Sequence, residues 1–193
     1  MWDALVLSTV VIFVAELGDK SQLMAMTFAS RYRARDVLVG ITLATAIVHL
    51  ASVAIGFWIG EAFADYQGWI AIAAGIAFLG FAAWTLRGDE LTEDEAAKAR
   101  TSTGAAILAV GFAFFLAELG DKTMLATITL AVREDWFGTW IGSTIGMVAA
   151  DALAIVVGAV LGRHLPEKVI RYVAAAAFAV FAVLLLGEGV RAV

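Results

Sequence analysis

The residues of this chain best suited to chemistry lie in a six-residue string that occurs twice. Glu16-Leu17-Gly18-Asp19-Lys20-Ser21 recurs 102 residues later as Glu118-Leu119-Gly120-Asp121-Lys122-Thr123. Each copy puts two carboxylates and an ammonium group near the middle of an apolar run that is long enough to cross a bilayer. A charge at that depth costs at least about 2.5–3.5 kcal/mol unless it is paired or faces a polar cavity. The repetition therefore predicts a site that handles charge.

The charge balance of the two copies indicates what such a site would bind. Four carboxylates and two ammonium groups sum to −2 when all are ionised, which one divalent cation neutralises. When the cation leaves, two protons can replace it, because crowded carboxylates titrate as a coupled set. Hard oxygen ligands suit Ca²⁺, Mn²⁺ or Mg²⁺ better than Cu⁺ or Zn²⁺. The predicted metal ligands are Glu16, Asp19, Glu118 and Asp121, and the charge-balancing residues are Lys20 and Lys122.

Other residues near the motifs are candidates for supporting roles. On an ideal helix Ser21 and Thr123 point about 140° away from the glutamates, so they reach the ion only where the helix is irregular. Gly18 and Gly120 provide either such a break or close helix packing, and both interpretations stay open. A further group could form hydrogen bonds behind the ligands or relay protons; its members are Ser21, Thr123, His49, Asp151 and Gln22.

His49 and Asp151 occupy matching positions in two further apolar segments, 102 residues apart. A buried histidine is more often a hydrogen-bonded structural residue, whereas a lone carboxylate in the middle of a membrane is costly and points to function. The competing interpretation of all these charges is that they form ion pairs that merely join helices. Buried pairs seldom stabilise a protein more than apolar replacements do, and the excess of negative charge argues against that interpretation.

Composition requires that the site be built from membrane helices. The chain has 193 residues, of which 62% are hydrophobic and 16% charged, and its mean hydropathy is +0.91. A soluble domain is about half apolar. The apolar runs are continuous rather than alternating, which favours helices over a barrel. The chain has no cysteine, so disulfides and thiolate metal sites are excluded. We predict an all-α integral membrane protein.

Six apolar segments are each long enough to cross a bilayer. The second half repeats the first without a gap, since Gly40 matches Gly142 and Gly56 matches Gly158. Each half has three spans, an odd number, so the halves are predicted to be inverted repeats, whose substrate sites lie near the midplane. The predicted units are a first repeat (1–86), a polar cytoplasmic linker (87–103) and a second repeat (104–193). The predicted spans are 4–29, 36–60, 67–86, 104–131, 137–162 and 167–190.

The orientation of these spans follows from the basic residues. Outside the motifs, nine lysines and arginines fall in one set of loops and two, Arg133 and Arg191, in the other set. This bias predicts that the first set and the linker are cytoplasmic and that both termini lie outside the cytoplasm. The nine are Arg31, Arg33, Arg35, Arg87, Lys98, Arg100, Arg163, Lys168 and Arg171.

The doubled pattern E-x-G-D-[KR]-[ST], in a small six-span protein with a polar central loop, resembles the cation/proton exchanger family that includes human transmembrane protein 165. Both hexapeptides match it without deviation. The family is associated with Mn²⁺ and Ca²⁺ transport in bacteria, Golgi and chloroplasts. The resemblance implies a proton-coupled Mn²⁺ or Ca²⁺ transporter in which Glu16, Asp19, Glu118 and Asp121 bind the ion. For a short prokaryotic-type chain it implies Mn²⁺ export across the plasma (inner) membrane.

Alternative functions give different expectations. A passive divalent-cation channel would conduct without proton exchange, and an amino-acid exporter would need fewer acidic groups in its cavity. An intramembrane aspartyl protease could pair Asp19 with Asp121, but glutamate stands where its G-x-G-D motif has glycine. We therefore expect a transporter rather than an enzyme, with a divalent cation and protons as substrates and no prosthetic group. We expect the protein to be surrounded by lipid and to have no nucleic-acid partner. The sequence leaves open whether it forms a homo-oligomer.

Overall fold

A computed structural model describes residues 1–87, 106–161 and 167–193, and every regular element in these ranges is helical. A short 3₁₀ turn, Ala64–Tyr66, precedes the fourth helix. Most of the predicted linker (from residue 88 on) lies outside the described residues. The helices are α1 (Trp2–Glu16), α2 (Lys20–Ala29), α3 (Ala34–Ala62), α4 (Gln67–Arg87), α5 (Ala106–Glu118), α6 (Lys122–Ala131), α7 (Trp136–Leu161) and α8 (Glu167–Ala192).

The all-helical membrane class is confirmed, but the described helices differ from the six predicted spans. Four apolar segments are long enough to cross a bilayer. The other two predicted spans, 4–29 and 104–131, are each divided at the motif glycine into helices of 10 to 15 residues. None of these pieces alone has the roughly 20 residues that a span needs. The four long segments are Ala34–Ala62, Ala64–Arg87, Trp136–Ala159 and Arg171–Ala192.

Small residues let the long helices approach the divided ones closely. A Cβ at Gly40 of α3 would lie 2.8 Å from the carbonyl oxygen of Ile107 on α5, and one at Gly56 would lie 2.5 Å from that of Ile128 on α6. Residue numbers on α3 and on its partners increase in the same direction along these contacts, so α3 runs parallel to α5 and α6.

The same contacts recur 102 residues away. Gly142 of α7 lies against the carbonyl of Leu5 on α1, and Gly158 lies against Met26 on α2. In the described chain, α3 and α7 are therefore each packed on the divided helix of the other half. The helices α4 and α8 pair in antiparallel fashion, because Gly68 is beside Val193.

Two apolar clusters hold the divided helices on either side of their breaks. One cluster contains Ile12 before the first break and Ala126 after the second. The other contains Phe28 after the first break and Phe114 before the second. Each cluster thus contains one piece of each divided helix, and the two breaks, with the two charged motifs, lie between the clusters.

Candidate cation site

The motif glycines form the breaks in the divided helices. Gly18 and Gly120 have φ angles of +75° and +80°, a left-handed backbone that costs a residue with a side chain about 1–2 kcal/mol. The next helix then begins with an aspartate cap: Asp19 accepts a hydrogen bond from the backbone N–H of Ser21 at 3.3 Å. The second copy repeats this cap, with Asp121 as acceptor. The glycines were predicted either to break the helix or to allow close helix packing, and in the structure they break the helix.

The breaks place the hydroxyl groups of Ser21 and Thr123 within hydrogen-bonding distance of the motif glutamates. Ser21 donates a hydrogen bond to Glu16, and Thr123 donates one to Glu118 at 3.1 Å. An ideal helix would point them apart, so the rotation introduced at the glycine places each hydroxyl beside its glutamate. Both glutamate side chains are completely buried, and in the described part of the chain neither takes part in an ion pair.

The two motifs are joined by ion pairs that cross between them. Lys122 pairs with Asp19 and donates a hydrogen bond to it. Lys20 pairs with Asp121, with Nζ 3.6 Å from Oδ1. The Lys122 pair is almost entirely buried, whereas the Lys20 side chain is 19% exposed. Each lysine thus pairs with the aspartate of the other copy. Lys122 also interacts electrostatically with Glu16, but neither glutamate forms an ion pair in the described chain.

Of the matched pair in α3 and α7, Asp151 lies with the motifs. It is completely buried and close enough to interact electrostatically with Glu16, Glu118 and Asp19. Neither of its oxygens has a hydrogen bond of good geometry in the described chain, although Ser21 lies within interaction range. His49 is equally buried and both ring nitrogens lack a partner among the described residues. No charged group of that part of the chain acts on it.

The residue after each motif makes the two halves different. Gln22 accepts a hydrogen bond from the N–H of Gly18 and donates one to the carbonyl of Ala150, both at 2.8 Å. At the equivalent place Met124 accepts from the N–H of Gly120 through sulfur at 3.1 Å. Met124 was not among the predicted site residues, although it occupies the same position after its motif as Gln22.

The site is a buried set of carboxylates held by hydroxyls and lysines. In the described ranges, no three carboxylate or imidazole groups converge at metal-binding distance. The glutamates are turned toward their own hydroxyls and the aspartates toward the lysines. Side-chain rotation is therefore required before several of these oxygens can meet one cation.

Comparison with known proteins relates this arrangement to a function. The family described as "Divalent cation/proton antiporter GDT1" matches residues 4–93 and 106–192, which is most of the chain. The chain belongs to this family. Both motifs lie within the matched residues. The resemblance expected from the doubled hexapeptide is thus confirmed, and the family consists of transporters rather than enzymes.

Individual relatives agree with the family assignment. A candidate manganese exporter of Vibrio cholerae is 34% identical, over 93% of this chain and 88% of the relative. A GDT1-like protein of Synechocystis is 30% identical, over 95% and 97%. A chloroplastic GDT1-like protein of rice is 33% identical over 89% of this chain, which covers 57% of that longer protein. No solved structure matches the chain.

Proposed function

We propose that this chain exports a divalent cation from a prokaryotic cell in exchange for protons, through one midplane site made by both motifs. The observation that carries the proposal is the crossed pairing of Lys122 with Asp19 and of Lys20 with Asp121. It joins the motifs into one buried site and leaves Glu16 and Glu118 available for a cation. The family description, a divalent cation/proton antiporter, supports the same chemistry.

Proton coupling follows from the charge that remains when the cation leaves. Counting the motif residues alone, with both lysines engaged by aspartates, the two glutamates keep about two negative charges in a water-poor environment. Returning the empty site to the other side of the membrane with these charges unneutralised would cost several kcal/mol. Two protons remove the cost, so cation movement one way requires proton movement the other way.

We propose Mn²⁺ as the preferred substrate and Ca²⁺ as the next. The predicted ligands are carboxylate oxygens, which both ions accept. The relative from Vibrio cholerae carries manganese export in its name, which favours Mn²⁺. The cation is cargo here, and no prosthetic group is part of the proposal.

We also propose six crossings arranged as two inverted repeats, with each divided helix pair (α1–α2 and α5–α6) crossing as one discontinuous span. The repeated glycine contacts at Gly40 and Gly142 support this, because equivalent residues make equivalent contacts in the two halves. Discontinuous helices near the midplane are a known transporter device. The basic residues then place both termini outside the cytoplasm.

This topology predicts the accessibility of two exposed positions. In a chain that has no native cysteine, Asp65→Cys should react in intact cells with a thiol reagent that cannot cross membranes. Arg33→Cys should react only after the cells are opened, because its loop is cytoplasmic. Labelling of position 33 in intact cells, at a protein level equal to that of the position 65 variant, would reverse the proposed orientation.

Exchange is tested with purified protein in lipid vesicles of acidic interior, placed in a neutral medium containing Mn²⁺, with voltage clamped by a potassium ionophore. One pH unit is worth about 1.4 kcal/mol per proton. Two protons per cation should therefore concentrate Mn²⁺ inside by about a hundredfold per pH unit, while the internal pH rises. If Mn²⁺ merely reaches equal concentrations and the internal pH does not respond to it, the protein is a channel or uniporter.

A further inference from the structure

Among the described residues, Asp151 is the one buried carboxylate of the candidate site that the two motifs do not supply. It lies on α7, is completely inaccessible, and has no lysine or arginine pairing with it in the described chain. An ionised carboxylate buried without a partner is costly. The charge of Asp151 must therefore be neutralised by a proton or by a cation that enters the site.

The surroundings of Asp151 lead directly to the first motif. Ser21 is within interaction range of Asp151 and donates a hydrogen bond to Glu16. Asp151 also interacts electrostatically with Glu16 and with Glu118. Its helix is fixed at this point, because the carbonyl of the preceding residue, Ala150, accepts a hydrogen bond from Gln22.

The second half has no equivalent of this carboxylate. His49 stands at the matching position on α3, and no carboxylate of the described chain acts on it. An imidazole adds no negative charge, so the electrostatic field of the site is displaced from the axis between the halves toward α7. A cation is drawn to the side where Glu16 and Asp151 lie.

We propose that Asp151 is a direct ligand of the transported cation, which binds off the pseudosymmetry axis and shares Asp151 with Glu16 and Glu118. This inference rests on the proposed transport of a divalent cation. In the described conformation these oxygens do not yet converge. The side chain of Asp151, which no good hydrogen bond restrains, is free to turn toward the ion, and the glutamates join it by leaving their hydroxyl partners.

A ligand exchange tests direct coordination. Thiolate is a soft ligand that favours Zn²⁺ over Mn²⁺ relative to carboxylate, and the chain has no other cysteine. Asp151→Cys should shift the ratio of Zn²⁺ to Mn²⁺ affinity, measured on purified protein with each metal alone, by more than about tenfold toward Zn²⁺. The matched variant His49→Cys should leave the ratio near that of the wild type. A residue that only positions others would weaken both metals alike, so an unchanged ratio in the Asp151→Cys protein overturns the proposal.

The nearly isosteric Asp151→Asn variant provides a second readout that does not depend on transport. The wild type should gain thermal stability on adding Mn²⁺, by an amount that grows with the logarithm of the Mn²⁺ concentration divided by the dissociation constant. This gain should shrink in Asp151→Asn, whose dissociation constant should rise by more than about tenfold because a charged ligand is lost. Without metal the variant should be at least as stable as the wild type, because a buried charge has been removed. Unchanged Mn²⁺ affinity in a folded variant contradicts the inference. If instead the wild type binds and moves no divalent cation, the proposed function itself fails.

Discussion

Replacing either motif glutamate by glutamine should reduce Mn²⁺ exchange to the background of empty vesicles without destabilising the protein. Glutamine has the same shape and can still accept the hydrogen bond that Ser21 gives Glu16, or that Thr123 gives Glu118. What it removes is a buried negative charge that forms no ion pair in the described chain. Losing about 3 kcal/mol of attraction for the cation lowers its affinity roughly a hundredfold. Vesicle flux of Mn²⁺ under an imposed pH difference measures the loss.

The stability of these variants separates two explanations of the buried charges. If the glutamates only hold helices together, Glu16→Gln and Glu118→Gln should lower the thermal midpoint and the flux together. If they bind the cation, the midpoint without metal should stay level or rise, because burying an unpaired carboxylate is costly. Glu61→Gln, at an exposed carboxylate at the end of α3, is the matched control and should change neither. Wild-type flux in either motif variant would mean that the shared site is incorrectly assigned.

The divided helices illustrate what the sequence could and could not predict. The apolar run over 4–29 is continuous, and length alone favoured one uninterrupted span. The string Glu-Leu-Gly-Asp nevertheless contains a stop and a start, since glycine suits a left-handed helix end and aspartate suits the next N-cap. The predicted position of Ser21 depended on whether the helix is continuous. On an ideal helix Ser21 faces away from Glu16, whereas across the break Ser21 donates a hydrogen bond to Glu16.

The pairing of lysines with aspartates depended on tertiary structure. Adjacent residues on a helix do not face each other, so Asp19 could not pair with its neighbour Lys20 in the way their sequence proximity suggests. Their actual partners lie more than 100 residues away and are brought together by the packing of α1–α2 beside α5–α6. The offset of 102 residues matches Asp151 with His49 in the sequence, but it could not reveal that Asp151 lies beside Ser21.

The crossed ion pairs should be strongly unequal in their contribution to stability. Lys122 and Asp19 are both almost fully buried, so Lys122→Met leaves an unpaired carboxylate in the interior and should cost about 3–5 kcal/mol of unfolding free energy. Lys20 is partly exposed and its Nζ lies 3.6 Å from Oδ1 of Asp121, so its contact with the carboxylate is longer and better solvated, and Lys20→Met should cost less. Unfolding of each purified variant in mixed detergent micelles, without divalent metal, compares them directly.

The double variant Asp19→Asn with Lys122→Met shows whether the cost belongs to the pair. Asparagine retains the N-cap of α2 and carries no charge, so the double variant should recover most of the stability lost in Lys122→Met. The coupling between the two positions should then be at least about 1 kcal/mol, within the range found for residues in contact. If the double variant is as unstable as the sum of the two single ones, the buried pair does not hold the motifs together. Transport should remain absent in the double variant even where folding is restored, because Asp19 also belongs to the proposed cation site.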